Sequence, residues 1–493
     1  MKKPHATYRA LTGLVAGFTL SLLSFSCIAD AQPNNRIEAE SATTDALAGS
    51  RPNIVLVMAD DLGWADIGYH DGEPMTPNLD RVSKAGVRFN RMYVQPICSP
   101  TRAALMTGRY AWRSGMASGV ILNHIDHGLP LDETLMSEVL KDAGYATYIV
   151  GKWHLGHHEP AYLPTERGFD YHYGLYTAID HFTHMWQGAL DWHRNRKPVR
   201  EEGYATDLLG DDCVRIINEH NFEGQPLFLY HPMFAVHAWN QAPERYTKDY
   251  EHVEDENRRG LLGLCAAMDK QFGRIINALA NRGQLENTLV VFLSDNGGNS
   301  NRQSADNGPL RGSKGQFYEA GIRVPAFAYW PGKIECARES DALIYASDFF
   351  RTFANLAGAP LPQKPLDSHD LAPVLFDNAA SSGRDEIVFM IEDSERLRRG
   401  AIIQWPWKLR RTALPDGPWV YELFNIKEDP YEQDNAHRKG KEHPEITQRM
   451  SDRLDELAGE APEPLWEEGD GNPPEGWSAP PVIGPEQDWA SAY

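Results

Sequence analysis

Cysteine is scarce, with five in 493 residues. Cys27, Cys98, Cys213, Cys265 and Cys336 stand far apart at irregular intervals, which excludes a zinc site built on closely spaced ligands and a small scaffold held by many disulfides. Basic charge is also short: 48 Lys and Arg against 69 Asp and Glu leave a net charge of −21. The chain therefore lacks the basic footprint that supplies most nucleic-acid affinity, and no nucleic-acid partner is expected. Any site for an anion must be a local island of positive charge. What is present is length and apolar content. At 42% hydrophobic residues, 493 positions suffice for one large core and a smaller satellite domain, the proportions of a multi-layer enzyme.

The opening residues read as an export signal. Lys2, Lys3 and Arg9 precede an apolar run from Ala10 to Ala29, and Ala29-Asp30-Ala31 is a small-x-small cleavage site. Ser24-Phe25-Ser26, ahead of Cys27, lacks the aliphatic residue that a lipid-modified cysteine needs three positions upstream. The expectation is a signal peptide over 1–31, a periplasmic or secreted product with no membrane attachment after cleavage, and a net charge near −23. Residues 32–50 are polar and read as a linker, with the fold starting near Arg51.

From there, apolar runs of strand length alternate with amphipathic helical stretches: Ile54–Ala59, Tyr145–Val150, Leu227–Tyr230 and Leu289–Ser294. This predicts an α/β fold, a large mostly parallel or mixed sheet sandwiched by helices, over residues 51–365. Thr76-Pro77 is read as capping one helix and Gly86 as closing it; Leu135–Ala143, closed by Gly144, is another. Beyond Pro365 the runs Glu386–Ile391, Trp407–Arg411 and Val420–Phe424, then a helical stretch over Glu445–Leu457, predict a smaller C-terminal α+β domain (366–493) with an antiparallel sheet. Its Pro- and Trp-rich tail from Ala461 should wrap the surface as irregular structure.

Polar residues gather where the four long runs end: Asp60-Asp61, Gly151-Lys152-Trp153-His154, His237 and Asp295-Asn296. Ligands in open α/β sheets bind outside the carboxyl ends of the strands, so these groups should converge. Asp60, Asp61, Asp295 and Asn296 offer hard oxygen ligands, whose mutual repulsion a divalent cation relieves; calcium suits a flexible all-protein cage better than magnesium. Pairs of this kind also serve as ordinary turn residues. Between them lies Cys98-Ser99-Pro100-Thr101-Arg102, where Ser99 is a cap candidate and Pro100 suits a first turn. That places Cys98 just before a helix N-terminus, where backbone amides favour an anion. Lys152 and His154 alternate on an extended segment and so face one side.

Cys98-Ser99-Pro100-Thr101-Arg102 with Thr107-Gly108-Arg109 resembles the signature of the type I, formylglycine-dependent sulfatases. Pro52–Trp64, Gly151-Lys152-Trp153-His154-Leu155-Gly156, Ser294–Gly298 and Pro309–Lys314 extend the likeness over roughly Pro52 to Phe350, closest to the arylsulfatase B, or N-acetylgalactosamine-4-sulfatase, branch. The resemblance implies that Cys98 is oxidised to formylglycine before folding is complete, by a formylglycine-generating or anaerobic sulfatase-maturing enzyme. It implies Ca2+ held by Asp60, Asp61, Asp295, Asn296 and an oxygen of modified Cys98. Arg102 would hold the formylglycine, and Lys152, His154, His237 and Lys314 would surround the sulfate. Asp295 would help deprotonate the aldehyde hydrate for attack on sulfur, His237 with Lys314 would protonate the departing sugar oxygen, and His154 would trigger release of sulfate.

The segment Asp180–Trp186, with Trp192, His193 and Arg194, mixes rings with hydrogen-bonding groups, which suits sugars; His181, His184, Trp186 and Arg194 are the candidate substrate contacts. His124, Asp126 and His127 belong to the same class. The expected substrate is a sulfated polysaccharide or oligosaccharide carrying a galactose or galactosamine unit. Two other readings share these residues: a phosphate or phosphonate monoester hydrolase, and a non-catalytic sulfated-glycan-binding protein if Cys98 stays a thiol. With Cys98 set aside for chemistry, Cys213, Cys265 and Cys336 allow at most one intramolecular bridge.

Overall fold

The computed structural model describes residues 44–392, 397–414, 417–436, 443–465 and 472–485. The expected signal segment, Cys27 included, lies outside the described residues. No described helix is long and apolar enough to cross a membrane.

Ten strands form one mixed sheet: β1 (Asn53–Ala59), β2 (Val87–Phe89), β3 (Ala146–Lys152), β4 (Tyr171–Leu175), β5 (His193–Arg194), β6 (Lys197–Pro198), β7 (Leu227–Pro232), β8 (Thr288–Ser294), β9 (Ala326–Tyr329) and β10 (Arg338–Ser340). Their spatial order is β10-β2-β9-β8-β1-β7-β3-β4-β5-β6. The centre, from β8 to β4, is parallel, and antiparallel strands extend it on both sides. Every residue of β1, β7 and β8 is buried. A strand covered on both faces has no solvent side, so its sequence is a continuous apolar run without polar alternation. Alternate side chains enter opposite cores: Ile54, Leu56 and Met58 on one face, Val55, Val57 and Ala59 on the other.

Seven helices frame the argument: α1 (Pro77–Lys84), α2 (Cys98–Thr107), α3 (Met136–Asp142), α4 (Ala205–Glu219), α5 (Glu256–Asn281), α6 (Asp348–Ala357) and α7 (Pro444–Ala458). Apolar residues of α2, α3 and α6 join the first core, and those of α1, α4 and α5 the second. The expected Thr76 cap is replaced by a longer-range one. Thr76 Oγ1 accepts from Gly68 N and donates to Asp80, while the amides of Asn78 and Leu79 donate to Asp269 Oδ1 of α5 at 2.9 and 2.8 Å. The second half of the expected linker is also structured. Thr44–Leu47 is a helical turn with Leu47 buried, and Gly49 and Arg51 donate to the carbonyls of Asn355 and Leu356.

The C-terminal sheet has four antiparallel strands in chain order: β11 (Glu386–Glu392), β12 (Leu397–Gln404), β13 (Trp407–Ala413) and β14 (Trp419–Asn425), with α7 against it. Its Ile387, Phe389, Ile402 and Leu409 share one apolar cluster with Phe317, Tyr345 and Phe349. A buried ion triad crosses the same boundary. Lys408 of β13 places Nζ 2.8 Å from Glu319 and 2.9 Å from Glu432, all three side chains fully enclosed. Tyr93 Oη donates to Glu319 and the Glu319 amide to Glu432. The described part of the tail is anchored: Val482 and Ile483 are buried, and Leu190 N donates to Pro481 O while Ile483 N donates to Leu190 O.

Candidate active site

The four strand ends converge as expected, at the carboxyl edge of the parallel centre. Asp60 and Asp61 follow β1, Asp295 and Asn296 follow β8, Lys152 closes β3, and His237 lies in the turn after β7. The ligand atoms of Asp60, Asp61, Cys98 and Asp295 all lie within 4.8 Å of one another, and each residue is buried. Three cations surround them. Lys152 Nζ is 2.8 Å from Asp60, Arg102 Nη2 is 2.7 Å from Asp295 and 3.4 Å from Asp60, and Lys314 Nζ bonds Asp61.

Cys98 is the first residue of α2, after Ile97 as N-cap, so Ser99 is not the cap. Ser99 Oγ instead donates to His154 O at 2.8 Å and accepts from Ile121 N, tying α2 to the loop after β3. All ten residues of α2 are buried, as a helix packed all round by protein requires. Cys98 Sγ lies 3.3 Å from Lys314 Nζ and 3.5 Å from Asp60 Oδ1. Burial, with Asp295 and Asp60 adding to it, pushes the thiol far above its usual range, so as a cysteine it is an unactivated nucleophile.

The electrostatics favour a bound cation. Burial pushes both Asp61 and Asp295 upward, and the charge on Asp60 adds to this against Lys314 and Arg102. Burial would raise Asp60 too, but Lys152, His237, Arg102 and Lys314 overrule it and hold Asp60 well below the usual range. The cluster as it stands resists its own negative charge, which a divalent ion would relieve. Asn296 adds an independent sign: Nδ2 donates to Asp61 Oδ1 at 2.7 Å, while its buried Oδ1 has no hydrogen-bond partner among the described residues. Four oxygen or sulfur atoms thus lie within 4.8 Å of one another, and the donor set fits a hard cation.

Lys152 and His154 both reach the site, but not by alternation along a strand. β3 ends at Lys152, and His154 takes left-handed backbone (φ 61°), as does Asp61 (φ 65°). Both turns are sterically costly for non-glycine residues and are held by packing around the site. His154 is kept neutral first by burial, then by Lys152 and Arg102, and its Nδ1 has no hydrogen-bond partner among the described residues. His237 is driven down to about 3, chiefly by burial, with Lys152 and Lys314 outweighing part of the pull of Asp60. Its Nδ1 meets Ala238 O at 2.8 Å; a carbonyl only accepts, so Nδ1 holds the proton and Nε2, 3.9 Å from Asp61, faces the site bare. Gly297 is needed where it stands, since a Cβ there would lie 1.6 Å from Ala320 O. That close approach sets Asn296 against the loop of Lys314, whose amide donates to Gly298 O.

The sequence-level substrate candidates separate. His181 is buried, its Nε2 3.1 Å from His237 O, so it meets the backbone of the turn that carries His237. His184 is buried and stacked on Trp192. Arg194 pairs with Asp212 and Glu201 and lies over Tyr173. Trp186 lines an open cleft of about 460 Å³ together with Asp180, Gln187, Trp239 and Arg302. His124 packs against Trp477 of the tail. Trp239 and Arg302 carried no sequence signal of their own, nor did Ser99 as an anchor for His154. Cys213, Cys265 and Cys336 are free thiols, the first two buried.

A family model described as Sulfatase matches residues 52–359, the stretch that supplies every side chain of this cluster. The chain belongs to the sulfatase family. This sulfatase is a sulfuric ester hydrolase, and a second model, N-sulphoglucosamine sulphohydrolase, C-terminal, matches residues 313–460 across the four-stranded sheet. Arylsulfatase J of Mus musculus is 33% identical over 90% of this chain and 83% of its own length. Arylsulfatase A of Homo sapiens is 35% identical over 69% of this chain and 71% of its own. Among solved structures, Ps i-CgsB in complex with k-i-k-neocarrahexaose is 30% identical with a TM-score of 0.77, covering 86% of this chain and 98% of that one.

Proposed function

We propose that this sulfatase removes sulfate from a sugar unit of a sulfated polysaccharide or oligosaccharide, of galactose or galactosamine type, after export to the periplasm or medium. Position 98 would act as formylglycine, formed by a dedicated maturing enzyme, with Ca2+ beside it. The observation that carries this reading is the enclosure of Cys98 Sγ between three carboxylates and Lys314, with the buried Asn296 amide bonded to one of those carboxylates. The oligosaccharide held by Ps i-CgsB supports a glycan rather than a small aryl ester as natural substrate.

Asp60, Asp61, Asp295 and Asn296 would hold the ion, which would supply fixed positive charge for the oxygens of the sulfate group. Cys98 Sγ stands where an oxygen of the hydrated aldehyde would lie, and that hydrate would supply the attacking hydroxyl. Arg102, bonded to Asp295, to Asp60 and to Lys152 O, fixes the carboxylates in place. Asp295 is positioned to accept the proton at position 98. Lys152 and Lys314 present charge to sulfate oxygens without reorganising during reaction. His237 is neutral until an anionic ester lies beside it; that charge raises its affinity for a second proton, and Nε2 then delivers it to the departing sugar oxygen. His154, kept neutral by burial, would accept the proton whose loss frees sulfate. Water and a sulfate ester are consumed; an alcohol and sulfate leave.

The test is the mass of the Cys98 peptide from protein made with the maturing machinery, paired with sulfate and phosphate release from ester panels. A formylglycine mass with release from sulfated glycans is expected. Unmodified cysteine in an active enzyme, or preference for phosphate monoesters, would overturn the reading.

A further inference from the structure

We propose that the cleft beside His237 is a second sugar subsite, in which Trp239 is the stacking platform and Arg302 takes an anionic substituent of the ring next to the one desulfated. The proposal rests on the glycan reading above and names the chemistry of the neighbouring unit.

Trp239 lies two residues beyond His237, and it is 48% exposed although the turn around it is fixed. Asn240 Nδ2 donates to the carbonyls of Gln303 and Asn257 at 2.7 Å each, Gln303 Nε2 donates to Val236 O, and Gln241 Nε2 donates to Asp180 Oδ2 at 2.7 Å. A large apolar ring held open to water by a rigid backbone has not been placed there by the core. Such a ring is preorganised for the C–H face of a sugar, with little rotamer entropy left to lose.

Across the same cleft, the Arg302 guanidinium lies 5.1 Å from the Trp239 ring centroid. Among the described residues it pairs with no carboxylate, in a chain of net charge −21. Acidic side chains are abundant, so an exposed arginine left unpaired and stacked on an aromatic is available to a sulfate or carboxylate from outside. Trp186 and Gln187, on the short hairpin of Met185–Trp186 with Ala189–Leu190, line the same cleft. The cavity of about 460 Å³ is of the size that holds a sugar ring. Its Trp239 stands two residues beyond His237, the group assigned to the departing sugar oxygen, and Asp180 of the same cleft flanks His181, whose Nε2 meets His237 O.

The experiment compares kcat/KM on 4-nitrophenyl sulfate with that on sulfated mono- and oligosaccharides, for the wild type, Trp239→Ala and Arg302→Ala. The wild type should gain at least about tenfold in kcat/KM from a second sugar ring. Trp239→Ala should reduce the ratio of oligosaccharide to aryl sulfate kcat/KM by about 10- to 100-fold, mainly through KM. Arg302→Ala should reduce it by about tenfold only when the neighbouring ring is anionic, and that difference should fade at high salt. Equal losses on both substrate types, or no gain from a second ring in the wild type, overturn the subsite while leaving the sulfatase reading intact. A wild type carrying formylglycine that releases sulfate from aryl esters but from no glycan overturns the glycan reading itself.

Discussion

Replacing Lys408 by Met tests whether the two sheets are held together electrostatically as well as by apolar packing. Lys408 Nζ lies between Glu319 and Glu432 with no solvent access to any of the three. Removing one partner of a buried ion pair costs about 3–5 kcal/mol, because the remaining charge is stranded. Here two carboxylates are left, but each keeps other donors. Tyr93 Oη donates to Glu319, Arg323 stands 3.5 Å from it, and the Glu319 amide donates to Glu432. Glu432 is already pushed upward, first by burial and then by the charge on Glu319 despite Lys408, so it can go neutral at modest cost. The loss should therefore sit at the lower end, about 3 kcal/mol. The sign with pH follows. Without Lys408 the carboxyl of Glu432 stands further above its unfolded value, so the stability held below the unfolded pKa is lost as pH rises through the folded one. The deficit should be small near about pH 5 and full near about pH 8. Chemical denaturation of the variant at both pH values measures this, and Lys408→Met with Glu432→Gln should recover at least half. A variant within about 0.5 kcal/mol of wild type at both pH values would refute the reasoning.

Stripping Ca2+ should abolish turnover and lower the melting temperature, with readdition at 100 times Kd restoring about 2.7 kcal/mol; full activity and an unmoved transition after exhaustive chelation would reject the cation. His237→Ala should slow sulfated sugars about 100-fold or more, yet spare 4-nitrophenyl sulfate, whose leaving group needs no proton, and equal losses would remove its role as acid. Asp269→Ala should cost about 2 kcal/mol, since the Asn78 and Leu79 amides lose their acceptor. Burial raises Asp269 to about 6 despite those bonds, so the stability it holds below its unfolded value is lost as pH rises through about 6, and the gap between wild type and variant should narrow above that pH; a gap that widens would contradict the sign.

Much of the site was legible because burial on both faces writes a parallel strand as an unbroken apolar run, and the residue after that run is then forced to the ligand edge. Position at a strand end is by itself enough to bring Asp60, Lys152 and Asp295 to that edge. Side-chain duty was harder to read. Thr76 and Ser99 have cap chemistry, but each oxygen was claimed by a closer partner, and Asp269 supplied the cap of α1 from 191 residues away. β12 went unseen because Arg398-Arg399-Gly400 interrupts its apolar pattern. The Trp239 and Arg302 pair is invisible in sequence for another reason. An exposed tryptophan and a core tryptophan have the same letter, and only the fold brings the segment after β8 against the turn after β7.

Cys98 is 1% exposed, and what covers it comes late in the chain. Arg102 is locked by Asp295, 193 residues further on, and the thiol is closed over by Lys314, 216 residues further on. During synthesis at about 5–20 residues per second, Cys98 stays uncovered for roughly ten to forty seconds after it is made. Any enzyme that must touch this sulfur works within that interval or on a chain kept unfolded, and any change that hastens docking of β8 onto β1 shortens it. The burial that protects the finished site is, on the timescale of translation, a deadline.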